Sequence, residues 1–247
     1  MKPPPAPGMH WLRLLLDAVF PASCEACERP LPLADPSHLC ASCLAAMVPP
    51  PPPLCTPCGV PLPPPGPERC GRCAERPPAF ATARAAALYL PTAAGLNPLA
   101  VAVQRLKYRG RRVLANTLGA LLASRYPFAP DVLLVPVPLH VARLRERGFN
   151  QALLLARALA RRRGLPVAAQ ALARRRTTRA QPGLAAAERR ANVQGAFTVP
   201  RPQVVSGRSV VLVDDVLTSG ATADACATAL LAAGAVRVDV YTVGRAP

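Results

Sequence analysis

Two regimes of hydrophobic patterning divide the chain. Up to about residue 80 no apolar period lasts, because proline runs at 3–5, 49–53 and 63–65 interrupt it. Proline fixes φ and removes a backbone donor, so these stretches favour extended polyproline II and stay out of helix interiors. They separate small units and do not fill a core. From Phe80 onward, long Ala, Leu and Val runs at helical spacing alternate with short Val-rich runs. The spacing predicts helices over 97–108, 112–126, 149–163 and 222–233, and strands over 131–137, 196–199, 209–213 and 237–243. Strands apolar on both faces and alternating with helices belong to a mostly parallel sheet flanked by helices. Residues 80–247 are therefore expected to form an α/β domain. Between 174 and 195 no apolar period persists, and the run Arg174-Arg175-Arg176-Thr177-Thr178-Arg179-Ala180-Gln181 predicts a mobile loop, solvated until an anion arrives.

The first 20 residues are expected to hold one short amphipathic helix. Arg13 and Asp17 interrupt the apolar stretch from Trp11 to Phe20, which therefore does not resemble a signal peptide. No run approaches the roughly 20 uncharged apolar residues that a membrane-spanning helix needs. A cytoplasmic protein without membrane insertion is the expectation.

Composition adds charge to this picture. With 51% hydrophobic and 4% aromatic residues among 247, the chain can bury a core, and uniform disorder is excluded. Basic residues outnumber acidic ones 30 to 13 for a net charge of +17, and only Lys2 and Lys107 are lysines. The Arg, Ala and Pro bias is that of a coding sequence rich in G and C, so part of the charge is compositional. Part is local: from Arg143 to Arg190 there are 13 arginines against Glu146 and Glu188, and five more basic residues fall between Arg105 and Arg112. Such a field attracts polyanions at low salt, which makes nucleic acid a candidate partner. The bland alternative is a solvated face. Few aromatics, Trp11 and Tyr108 among them, are available to stack bases.

Eight of the nine cysteines form Cys-x-x-Cys pairs: Cys24 with Cys27, Cys40 with Cys43, Cys55 with Cys58, and Cys70 with Cys73. A two-residue gap lets both thiolates of a tight knuckle face one ion, and two knuckles complete a tetrahedral structural zinc site. Residues 21–78 are thus expected to be a double zinc ribbon with two zinc ions. Sequential grouping is the simplest, and an interleaved grouping satisfies the same spacing. A disulfide framework would need an oxidising compartment, for which there is no export signal. Four thiolates leave no open coordination position, which points to structural and not catalytic metal. Units this small lack a sufficient core, so chelation is expected to unfold 20–75 and spare the rest. Cys226, on an Ala-rich helix, is expected in the core.

The most informative segment is Val210-Val211-Leu212-Val213-Asp214-Asp215-Val216-Leu217-Thr218-Ser219-Gly220-Ala221-Thr222. A buried strand ends in two carboxylates, and a small hydroxyl-rich turn leads into a helix. The carboxyl edge of a parallel sheet is where ligands bind, and a helix N-terminus has free N–H groups for an anion. Two acids facing such a turn can accept hydrogen bonds from sugar hydroxyls. A ribose carrying a 5-phosphate suits these parts.

This segment resembles the signature of type I phosphoribosyltransferases, whose substrate is 5-phosphoribosyl 1-diphosphate (PRPP). By that resemblance Asp214 and Asp215 hold the ribose hydroxyls, while Thr218, Ser219, Gly220, Ala221 and Thr222 wrap the 5-phosphate. Thr218 stands where many purine-using members have an acid, so the acceptor is not implied. More of the chain, from Arg105-Leu106-Lys107-Tyr108-Arg109-Gly110 through Val135-Pro136-Val137-Pro138-Leu139-His140, Arg147-Gly148-Phe149-Asn150-Gln151 and 176–197, resembles the ComF family. That family joins a double zinc ribbon to a phosphoribosyltransferase-like domain and is associated with competence and DNA uptake. The resemblance implies that Pro138, Leu139 and His140, with Arg143 and Arg147, hold the diphosphate together with Mg. It implies a loop over 174–181 that closes on the site. It implies partners among single-stranded DNA and competence proteins. The last predicted strand ends four residues before Pro247, so an acceptor-binding hood is not expected there, and the ribbons are candidates for that cover. Two functions follow: a PRPP-binding phosphoribosyltransferase of DNA uptake, or a non-catalytic single-stranded-DNA-binding competence factor that keeps the fold as scaffold or PRPP sensor.

Overall fold

The computed structural model describes residues 22–32, 37–90, 97–176 and 193–247. The helix expected within 1–20 and positions 177–192 of the basic stretch lie outside the described residues. Elements run in the order α1 (Ala41–Ala45), α2 (Gly71–Glu75), β1 (Ala83–Leu88), α3 (Pro98–Tyr108), α4 (Leu114–Ser124), β2 (Leu133–Pro136), α5 (Val141–Arg147), α6 (Gln151–Arg163), β3 (Ala173–Arg174), β4 (Phe197–Thr198), β5 (Ser209–Leu217), α7 (Ala221–Ala232) and β6 (Arg237–Arg245).

Four strands form one parallel sheet in the order β1-β6-β5-β2. Helices cover both faces, as the alternation of apolar runs requires. Successive strand residues point to opposite faces, and β5 shows the consequence. Val211 and Val213 join Leu106, Leu118, Leu155 and Tyr241 beneath α3, α4 and α6. Val210 and Leu212 join Ala223, Cys226, Ala227 and Leu230 beneath α7, which puts Cys226 in the core as expected. The close approach of α4 to α6 rests on Gly119, where an added Cβ would sit 2.3 Å from the Ala158 Cβ.

Caps set the helices that frame the sheet edge. Asn97 accepts from the Ala100 N–H at 2.9 Å, with Pro98 as the first helical residue, a position where the missing N–H costs nothing. Asn150 accepts from the Ala152 and Leu153 N–H groups and donates to the Val137 carbonyl at 3.1 Å, which ties the start of α6 to the end of β2.

Three elements escape the hydrophobic pattern. β1 is Ala-Arg-Ala-Ala-Ala-Leu, whose composition favours helix, and only pairing with β6 makes it a strand. α5 has no buried residue and hence no apolar stripe. Ala173–Arg174 pair antiparallel with Phe197–Thr198, so the stretch expected as a loop over 174–181 begins as a strand.

The cysteines group sequentially. Sulfurs of Cys24, Cys27, Cys40 and Cys43 lie within 4.8 Å of one another, as do those of Cys55, Cys58, Cys70 and Cys73. The knuckles repeat one local geometry, with Cys24 Sγ accepting from the Cys40 N–H at 3.3 Å and Cys55 Sγ accepting from the Cys70 N–H at 3.3 Å. None of the eight is in a disulfide. Converging sulfurs supported by backbone N–H donors suit tetrahedral zinc.

The ribbons attach differently. Leu31, Leu39 and Met47 of the first share a buried cluster with α3, α4 and β6. The second keeps a small cluster of its own, Cys55, Cys58 and Cys73 with Val60 and Leu62. The expectation that chelation spares everything beyond residue 75 therefore needs correction for the first ribbon, because its apolar side chains are part of the α/β core.

Candidate functional site

The residues expected to form the site gather at the carboxyl edge of β5 and β2. β2 pairs with β5 up to Pro136 opposite Val213, and the Val137 N–H donates to the Val213 carbonyl at 3.0 Å. Residues 138–140 therefore leave the sheet beside the two acids. His140 caps α5, its Nδ1 accepting from the Ala142 N–H at 3.2 Å. Arg143 and Arg147 stand one turn apart on α5. Arg143 pairs with Glu146 at 3.1 Å, whereas Arg147 donates to Gln151 Oε1 at 2.5 Å and lies over the Tyr108 ring at 5.2 Å.

After β5 the chain turns through Thr218, Ser219 and Gly220 into α7. Gly220 has φ +80, in the left-handed region that costs a side-chain-bearing residue dearly, and its conformation starts the helix. The Ser219 hydroxyl accepts from the Ala221 N–H at 3.4 Å. Asp214 and residues Thr218, Ser219, Gly220, Ala221 and Thr222 line one cavity of about 60 Å³. The expected acid and the expected turn are thus brought to one hollow, beside a helix N-terminus.

Asp215 takes the other direction. Strand alternation turns it to the face of α3, where its Oδ1 meets Lys107 Nζ at 2.6 Å, with side chains 5% and 21% exposed. Lys107 lies in the Arg105–Gly110 motif, whose residue pattern assigns it no role. A signal existed: in a chain that uses arginine almost throughout, it is one of two lysines. Arg174 is the second contributor without an assigned ligand role. It lies over the Phe197 ring at 5.4 Å, and its charge acts on Asp214 from the α7 side.

Burial and neighbouring charges act on Asp214, Lys107 and Arg174. Burial pushes the Asp214 carboxyl up to about 7, the Asp215 charge adds to the rise, and Lys107 and Arg174 oppose it. For Lys107, burial disfavours the charged form, but Asp215 with help from Asp214 outweighs that and raises its pKa. Burial lowers that of Arg174. The arrangement presents one carboxylate poised near neutrality, a hydroxyl-lined turn and several cations, which suits a polyhydroxylated anion better than an apolar ligand.

A family model described as double zinc ribbon domain matches residues 15–74. The DNA utilization protein YhgH of Escherichia coli O157:H7 is 35% identical over 181 residues, 70% of this chain and 76% of that protein. Competence protein F of Haemophilus influenzae is 33% identical over 61% of this chain and 69% of its own. Competence protein ComFC of Bacillus subtilis is 32% identical over 58% of each chain. Among solved structures, glutamine phosphoribosylpyrophosphate amidotransferase from B. subtilis, complexed with ADP and GMP, is similar over 59% of this chain and 27% of that one, with 24% identity and a TM-score of 0.36.

Proposed function

The chain belongs to the ComF family, with the DNA utilization protein YhgH and Competence protein F, and from that premise we propose that it binds PRPP with magnesium and acts in DNA uptake or utilization. The single observation that carries this reading is the hollow shared by Asp214 and the 218–222 turn. A ribose phosphate laid there meets a carboxylate that accepts from hydroxyls at one end and helix N–H groups with Ser and Thr hydroxyls at the other. Lys107 fixes Asp215 from behind. Arg143 and Arg147 are forked donors for a diphosphate, and would exchange Glu146 and Gln151 for phosphate oxygens.

Magnesium is held chiefly by substrate phosphates and waters with few carboxylates, and Asp214, which lines the cavity, would supply such a group. When bound, the ion would neutralise charge on the diphosphate. The chain's own residues would orient the ribose and keep the diphosphate in place. Titration calorimetry of PRPP with magnesium tests this: binding heat is expected with wild type and none with Asp214→Asn/Asp215→Asn. No heat with wild type ends the reading. Diphosphate release measured against a panel of bases and against DNA tests transfer.

One observation favours the second reading, a single-stranded-DNA-binding competence factor. Tyr108 is 71% exposed with Arg147 over its ring, and Arg109, Arg111 and Arg112 beside it are exposed as well. An aromatic platform among cations is what stacked bases and a phosphate backbone require. Tyr108→Ala is expected to weaken oligonucleotide binding by about 1–3 kcal/mol, and affinity should fall steeply with salt. Salt-independent binding would count against it.

A further inference from the structure

The second ribbon meets the 218–222 turn through one buried side chain, Arg245 at the end of β6, 1% exposed. Its Nε donates to the Cys58 carbonyl at 3.0 Å and its Nη1 to the carbonyls of Leu217 and Thr218, each at 3.0 Å, and to that of Ala246. Its Nη2 lies 3.8 Å from Cys58 Sγ. Cys58 and Cys73 also line a small cavity with Ser219 and Gly220. Among the described residues no carboxylate pairs with Arg245.

A buried guanidinium without a carboxylate must be met by dipoles and by another negative group. Carbonyls supply the dipoles. The negative group is the sulfur cluster itself, because four thiolates around a divalent ion carry net negative charge. The planar fork then fixes two things to each other, the 55–58 knuckle and the carbonyls where the turn begins.

We propose that Arg245 is a positioning residue through which metal in the second cluster sets the conformation of the 218–222 turn. This rests on reading that turn as the phosphate cradle. Metal holds the knuckle, the knuckle fixes the Cys58 carbonyl and sulfur, and Arg245 carries that constraint to Leu217 and Thr218. The coupling is reciprocal, so a ligand that orders the turn slows metal loss from the second cluster. Arg125 does no such work for the first cluster: it joins the Met47 carbonyl at 2.6 Å to that of Ala86, away from the turn.

Hydrogen exchange at residues 218–222, scaled to the strand amides 210–213, tests this without any ligand. Cys70→Ser/Cys73→Ser, which empties the second cluster, should speed exchange of the turn about tenfold or more. Arg245→Met should do the same with two zinc ions still bound, and Arg245→Lys should show an intermediate effect. Joining the Arg245 and cysteine changes should add nothing further, and emptying the first cluster with Cys40→Ser/Cys43→Ser should leave the scaled rate unchanged. A wild-type rate in Arg245→Met, or fully additive effects, overturns the proposal. Should the serine variants not fold, zinc release from the full chain to a colorimetric chelator decides. PRPP with magnesium is expected to slow one of two zinc ions at least threefold in wild type and not in Arg245→Met, and equal slowing in both overturns the coupling. Absence of PRPP binding to wild type would end the functional reading alone, leaving the exchange experiment to judge Arg245.

Discussion

Asp214 and Asp215 are neighbours in sequence and opposites in environment. Their adjacency at the end of a buried strand makes both candidates to face the turn. Alternation along a strand that continues to Leu217 sends Asp214 to the cavity and Asp215 to Lys107. Asp214 carries a raised pKa of about 7 against an ordinary value of 3.8. Between those values the folded protein holds a proton that the unfolded chain has lost, so stability falls as pH rises through that window, and the penalty is complete above it. Asp214→Asn removes the penalty. Thermal unfolding should show a gain on the order of 2 kcal/mol at pH 8 that fades toward pH 4, with ligand binding lost. A variant less stable than wild type at pH 8 would refute this electrostatic account. Lys107→Met leaves the Asp215 carboxylate buried without its partner, and a loss of about 3–5 kcal/mol is expected, largely relieved by adding Asp215→Asn. Denaturant unfolding of the three variants checks the coupling.

Helices and strands with a strong apolar period were legible to within a few residues, since burial of one stripe or two faces is written into composition. The turn into α7 was legible too, because a left-handed start asks for glycine. β1 was not, since its alanines carry no preference that opposes helix and its pairing partner lies more than 150 residues on. α5 was missed for the reverse reason: an exposed helix buries nothing, and pattern reports only burial. Packing between elements supplies a test of its own. Gly119→Ala drives a methyl against Ala158, and a cost of about 1–3 kcal/mol is expected from overpacking. Replacing Ala158 by glycine as well should recover part of it by removing the opposing Cβ. A neutral Gly119→Ala in denaturant unfolding would refute so close an approach of α4 to α6.

At the scale of the molecule the two ribbons are unequal. The first lends Leu31, Leu39 and Met47 to the main core, and Glu25 and Glu28 bind Arg105 of α3, with Arg111 also on Glu25. The second touches the domain by hydrogen bonds, from the Ala83 N–H to the Pro57 carbonyl at 2.6 Å and through Arg245. Loss of the first metal should therefore expose α3 and α4 to exchange, whereas loss of the second should leave them protected. Peptide-resolved exchange of the two cluster variants distinguishes these outcomes, and equal deprotection of α3 in both would refute the inequality. The sequence by itself determined the metal chemistry, the parallel α/β class and the acid-plus-turn segment, because thiol spacing, apolar period and glycine punctuation are local and survive without a partner. Only the tertiary structure decided which knuckles bring their sulfurs together, which acid faces the cavity, and that Lys107 and Arg245 reach Asp215 and the start of the 218–222 turn from distant elements. Those are questions of which side chains meet across the fold, and a contact between residues 107 and 215 or 58 and 245 leaves no trace in the spacing of either.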